Sequence, residues 1–302
     1  MASSDCGKDV TVTIQEAFKE FVAEQEYKGN TERTVEFYTE TLNFFLAEAG
    51  ITQLEELDEK TIRTWLVNRR HLSPNTLRTY DRGLRIITRW FFARGYIEAF
   101  PMKNLPKPKA KSREIVTFTP EDIKAMMAEA DRREERLRDK ALLILLLDTG
   151  IRIGEARNLF LHSVNWQENI LTVSGKTGER PVPFSTPTRR SLKTYIDQER
   201  RASAPSVRHL FLTREGTPMD IETITKHVRR IAVAADVQAT RRGAHTFRHT
   251  FAVEYIRAGG DVFSLQKILG HTTLEMTRVY VHLAKSDLRE AHRKFSPVSR
   301  ML

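Results

Sequence analysis

The chain has 302 residues, 40% of them hydrophobic and 29% charged, with a formal net charge of +10 at pH 7. This composition excludes a disordered or fibrous chain, and at ~100–200 residues per domain it predicts two domains. The longest apolar run, Ala141 to Leu147, falls far short of the ~20 residues a bilayer-crossing helix needs. Cys6 is the single cysteine, which excludes an internal disulfide and fits a cytoplasmic protein.

The basic excess is unevenly placed. Residues 1–59 hold 4 basic and 14 acidic residues, residues 60–112 hold 13 and 2, and residues 113–302 hold 32 and 23. Charge concentrated in this way predicts a polyanion partner, with a solvated helix face as the alternative. Taken in chain order, Ile14, Phe18, Phe21 and Val22 have helical spacing, as do Val35, Tyr38, Leu42, Phe45 and Leu46. A third helix is expected from about Asp58, carrying Ile62, Trp65 and Leu66. The fourth opens at Ser73-Pro74, a capping residue followed by proline at the first helical position. One side of it carries Arg78, Arg82, Arg85 and Arg89 at three- and four-residue steps. Like charges so placed repel one another, and nearby phosphates would relieve them; salt bridges to the acidic helices of residues 1–59 would do the same.

The stretch Leu105-Pro106-Lys107-Pro108-Lys109-Ala110-Lys111-Ser112 reads as an extended strap, because proline denies it a helix or a ladder. Lys107 and Lys109 are candidates to lie along a phosphate backbone. The expected organisation is a helical domain over 1–104, a basic linker over 105–117 and a second domain over 118–302. In the second, Thr119-Pro120-Glu121-Asp122 signals a helix start. Leu142 to Leu147 predicts a buried helix ending at Asp148-Thr149-Gly150. Residues 170–173 and 180–184 predict two strands around a Gly175–Gly178 turn, and residues from Pro187 onward read as helical almost to the end. The fold class is therefore mainly α with a small antiparallel β-sheet.

Two motifs mislead. Ser174-Gly175-Lys176-Thr177 imitates a phosphate-binding loop, but that loop needs glycine where Ile170 stands, and it opens a helix instead of joining strands. His245 and His249 have a metal-ligand spacing, but Thr246 stands where a zinc-protease helix carries glutamate. No metal and no cofactor are expected.

Singly, the remaining polar residues are unremarkable. Taken in order, Thr149-Gly150-Ile151-Arg152-Ile153-Gly154-Glu155, Gly175-Lys176, His245-Thr246-Phe247-Arg248-His249, Leu269-Gly270-His271 and Tyr280 resemble the tyrosine recombinases, the phage integrases and their relatives. The hairpin Gly175-Lys176-Thr177-Gly178 departs from the commoner glycine-lysine-glycine form. The resemblance implies a helical core-binding domain and a catalytic domain that clamp DNA. It implies Tyr280 as nucleophile, Arg152 and Arg248 as holders of the phosphate, and His245 as proton acceptor. Lys176 would be the donor to the departing oxygen, His271 a donor to the phosphate or a buttress on the leaving side, and Glu155 a residue that orients the arginines or Lys176, with an ordinary place on the helix surface as its alternative. The partners implied are double-stranded recombination sites and three further copies of the chain on synapsed DNA, with a monomer or dimer in solution. Arg241 and Arg242, just before His245, join the DNA-binding candidates. Two alternatives stand beside this reading: a type IB topoisomerase, and a DNA-binding regulator that never cuts. Within it, chromosome-dimer resolution is the alternative to moving a mobile element or resolving a replicon.

Overall fold

A computed structural model describes residues 12–109, 115–175, 178–237, 242–284, 292–293 and 296–298. The chain divides into two compact units, residues 1–113 and 114–302.

The first unit is helical throughout. Helix α1 (Ile14–Tyr27) starts on Thr13, whose hydroxyl accepts from the Glu16 N–H while the Glu16 carboxylate accepts from the Thr13 N–H. Helices α2 (Glu32–Ala49) and α3 (Glu59–Asn68) follow, the latter capped by Asp58 as its sequence predicts. Helix α4 (Pro74–Ala93) begins on Ser73, whose hydroxyl accepts from the Thr76 N–H at 3.1 Å. The predicted apolar faces meet in one core of Phe21, Leu42, Phe45, Ile62, Leu84 and Ile87. Leu105 belongs to this core as well. Its carbonyl accepts from Arg85 at 2.6 Å, so the first residue of the expected strap is packed and hydrogen-bonded within the helical unit.

The second unit starts with α5 (Pro120–Asp131), capped by Thr119. Helix α6 (Arg136–Thr149) buries Leu142, Leu143, Leu145 and Leu146, and a helix apolar on every side must lie inside the core. It ends at Gly150, whose φ is 59°; a Cβ there would stand 2.4 Å from the Phe251 ring, so glycine is required on two counts. The short α7 (Ile153–Arg157) leads into a three-stranded antiparallel sheet, β1 (Val164–Asn165), β2 (Ile170–Gly175) and β3 (Gly178–Pro183), in that order. The two predicted strands pair with Val173 opposite Arg180 and Gly175 opposite Gly178. β1, two residues long, is too short to leave a sequence pattern.

Helices α8 (Thr186–Gln198), α9 (Ile221–Ala234), α10 (Ala244–Arg257), α11 (Val262–Leu269) and α12 (Glu275–Ala284) complete the unit. The expected helical run is interrupted between α8 and α9. There Leu210, Phe211 and Leu212 are all buried, and three consecutive buried side chains cannot share one helical face. The backbone pairs in extended form instead: the Leu210 N–H donates to Leu159 O and the Met219 N–H to Phe211 O. Among the described residues, no helix is long and apolar enough to cross a membrane.

Candidate active site

The sharp turn at Gly150 leaves Arg152 as the cap of α7. Its backbone N–H donates to Glu155 Oε2 at 2.8 Å and its Nη1 to Glu155 Oε1 at 3.0 Å. Glu155 is 4% exposed. Arg180, from β3, grips the same carboxylate with two bonds of 2.8 and 3.0 Å, a fork-on-fork pairing. Burial pushes the Glu155 carboxyl up, but the bonds from Arg180 and the Arg152 backbone outweigh it and hold the group below its ordinary value. It is therefore an anion at neutral pH.

The C-terminus of α11 gathers the same side chains. Gly270 ends the helix in the left-handed conformation, φ 63°, leaving the last carbonyls free to accept. Arg180 Nε donates to Ile268 O at 2.8 Å. Arg248, from α10 and 4% exposed, donates to Leu269 O at 2.7 Å and to Gly150 O at 2.8 Å. Arg152 Nη1 also reaches Leu269 O, at 3.4 Å. The negative end of a helix and one carboxylate thus hold three guanidiniums. Burial and the neighbouring Arg152 lower Arg248 to about 10, so it stays charged at pH 7. Positive charge remains in excess beside an open cavity of about 1390 Å³, lined by Arg152, Gly175, Arg229, Arg242 and His245 among others. An arrangement of this kind binds an anion.

Two histidines flank these arginines. His245, in the first turn of α10, is pushed below its ordinary value by burial and by Arg248 and Arg152, so it is neutral near pH 7. His271 follows the Gly270 stop and lies buried, its Nδ1 2.8 Å from Thr277 Oγ1. Burial and the nearby arginines lower it to about 4. Tyr280, on α12, is 5% exposed, with its ring nearly parallel to His271. Burial raises its phenol while Arg248 and Arg152 pull it down. Its hydroxyl lies 2.9 Å from His249 Nδ1.

Residues 117–287 match the phage integrase family, and a curated relative is 31% identical over 89% of this chain. The chain belongs to the phage integrase family. That relative, the tyrosine recombinase XerC of Oceanobacillus iheyensis, is itself covered over 92% of its length. A second, the tyrosine recombinase XerC of Mycobacterium bovis, is 29% identical over 94% of this chain and 98% of its own. The fold is shared with solved structures. One is the Tn1549 transposon integrase in complex with transposon right end DNA, with TM-score 0.78, 17% identity, and 95% of this chain and 100% of the other covered. Another is XerH site-specific recombinase bound to palindromic difH substrate, with TM-score 0.73, 20% identity, and 93% and 84% covered. The protein is thus a tyrosine recombinase, an enzyme that cuts and rejoins DNA strands.

Of the recombinase residues expected from sequence, Arg152, His245, Arg248, His271, Tyr280 and Glu155 come together around α10, α11 and the start of α7. Glu155 is buried between Arg152 and Arg180, and not on the helix surface that was its alternative. Lys176 and Arg241 lie outside the described residues; Arg242 lines the same cavity as Arg152.

Two residues were missed. Arg180 carried a usable signal: it shares strand parity with buried Val182 and pairs with buried Val173. A charge on the inward face of a strand demands a buried counter-charge. His249 stands in the recombinase motif without a role there and was otherwise weighed as a metal ligand.

In the first unit, Arg78, Arg82, Arg89 and Lys107 line a cavity of about 660 Å³. Arg85 borders it too, but its guanidinium donates to Asp81 and to the Met102 and Leu105 carbonyls. These bonds brace its own unit. The acidic helices take ion pairs from two other arginines, Arg94 to Glu24 and Arg69 to Glu48, while Arg85 pairs with Asp81 of its own helix.

Proposed function

We propose that this recombinase exchanges strands between specific double-stranded sites through a 3′-phosphotyrosyl link formed by Tyr280. The observation that carries the reading is the sharing of the α11 C-terminus by Arg152 and Arg248. Guanidiniums fixed before substrate arrives need no rearrangement as charge builds on a phosphorane, and preorganised donors of this kind are worth most in catalysis. In the step proposed, the Tyr280 oxygen bonds to phosphorus while the bond from phosphorus to the 5′ oxygen breaks. The phenolic proton passes to neutral His245, and the departing oxygen takes a proton from Lys176. His271, neutral and braced by Thr277, donates to the phosphate. A 5′ hydroxyl from a second strand reverses the step and reseals the DNA. The phosphotyrosyl bond conserves the energy, so no nucleotide is consumed.

Both units grip the duplex in this reading, with the Pro-Lys strap between them and Arg78, Arg82, Arg89, Lys107, Lys109, Arg241 and Arg242 on phosphates. Exchange between two duplexes needs four tyrosines, hence a homotetramer on synapsed DNA. The tail from Phe295 onward is proposed to dock on a neighbouring copy; deleting it should abolish synapsis and spare binding, and unchanged recombination would defeat that assignment. Relatives named XerC and a transposon integrase fold neighbour both suit a site-specific exchange reaction.

The chemistry is tested by the polarity of the cut. The protein should remain on the 3′ end of cleaved DNA, and the other end should accept phosphate from a polynucleotide kinase without phosphatase treatment. A protein-linked 5′ end would refute the reading.

A further inference from the structure

The nucleophile assigned above is buried, and its direction is therefore a matter of packing. The Tyr280 ring belongs to a cluster with Ala252, Val253 and Ile256 of α10 and Leu265 and Leu269 of α11. This cluster holds the ring but cannot direct the hydroxyl, which, once buried, needs a polar partner. His271, alongside it, engages Thr277 through Nδ1. The hydroxyl meets His249 Nδ1 instead, at 2.9 Å, with the two rings tilted 46° and their centroids 5.7 Å apart.

His249 comes directly after Arg248. Successive helical residues point ~100° apart around the axis, so one turn of α10 sends two neighbouring side chains to different tasks. One locks onto the Gly150 and Leu269 carbonyls. The other holds the phenol. Because both leave the same rigid turn, the hydroxyl's place relative to the phosphate-holding guanidinium is set by a single backbone segment.

On the reading of Tyr280 as nucleophile, we propose that His249 is a positioning residue for strand cleavage, fixing through Nδ1 where the Tyr280 hydroxyl stands relative to Arg248. Without it the buried hydroxyl has to turn toward another polar partner. Misplacing a reacting group by ~1 Å can cost ~100-fold in rate.

The test is single-turnover formation of covalent adduct on a nicked recombination-site duplex, with binding measured in parallel. His249→Leu should form adduct at least about tenfold more slowly, with the DNA dissociation constant changed less than about twofold. His249→Asn keeps a hydrogen-bonding atom close to the place of Nδ1 and should regain most of the rate. Replacing the bridging 5′ oxygen by sulfur, which leaves without a proton, should not relieve the His249→Leu defect, because the defect concerns attack. Should His249→Leu not fold, His249→Gln takes its place: its amide overreaches the Nδ1 position, so it should be slow where His249→Asn is not. Wild-type rates in His249→Leu, equal slowness in the Leu and Asn variants, or full relief by sulfur would each overturn the proposal. No adduct from the wild type would instead remove the nucleophile reading itself. Adduct that depends on Tyr280 but is indifferent to His249 would sink this inference alone.

Discussion

Arg152 and Arg248 donate to one and the same carbonyl, that of Leu269, at 3.4 and 2.7 Å. Two like charges are drawn together because the end of α11 offers them a common anionic anchor, and Glu155 adds a full negative charge. The consequence is testable by the most conservative substitution available. A lysine keeps the charge but has no planar fork with which to hold a carbonyl and a phosphate together. Arg248→Lys and Arg152→Lys should each slow adduct formation by about 10²–10³-fold, the usual cost of losing one preorganised donor. DNA affinity should change little, which a filter-binding titration checks.

The ion group around Glu155 should also be worth stability. Removing one member of a buried pair strands the other, at a cost of about 3–5 kcal/mol. Glu155→Gln is expected to fall in that range by urea denaturation, because Arg180 then loses its counter-charge. The sign with pH follows from the depressed carboxyl. Its contribution is full above the ordinary value of 4.5 and is lost as pH falls through the lower folded value. Glu155→Gln should therefore be less sensitive to acid over that window than the wild type.

His271 is held neutral where Glu155 is held charged, but both folded groups resist a proton, so the slope has the same sign. The unfolded chain protonates it near 6.5, while the folded protein resists until about 4. Between those values the unfolded state binds more protons, so stability drops as the solution is acidified. Thermal melts across that range should show the wild type losing midpoint temperature, and His271→Asn should flatten the slope.

The first unit's arginines predict a salt signature. Each phosphate contact contributes about 0.9 to the slope of log affinity against log salt. Substituting Arg78, Arg82 and Arg89 together by glutamine should weaken binding and flatten that slope, whereas Arg85→Gln should act mainly on stability, since its donors face the Met102 and Leu105 carbonyls. Equal slopes in wild type and triple variant would place the DNA elsewhere.

Much of this was legible from residue order because the signals are local. Ser73-Pro74, Thr119-Pro120 and Gly150 act within a few residues of themselves, and each marks a helix boundary where the sequence places it. The arginines and Tyr280 were legible through a spaced pattern. What escaped depends on contacts distant in sequence. Arg85 looks like its neighbours along α4 until Met102 and Leu105 fold back onto it. Arg180 sits in an ordinary charged hairpin until Glu155 arrives from α7. His249 gains meaning only when α12 brings Tyr280 beside α10.

The central claim is that the Tyr280 oxygen becomes bonded to DNA, and the most direct measurement compares wild type with Tyr280→Phe on a nicked recombination-site duplex. Phenylalanine keeps the ring in its apolar setting and deletes only the attacking oxygen. Wild type should yield a covalent protein–DNA band on a denaturing gel and Tyr280→Phe none, while both shift the duplex equally on a native gel. Equal covalent adduct from the two proteins would contradict the account.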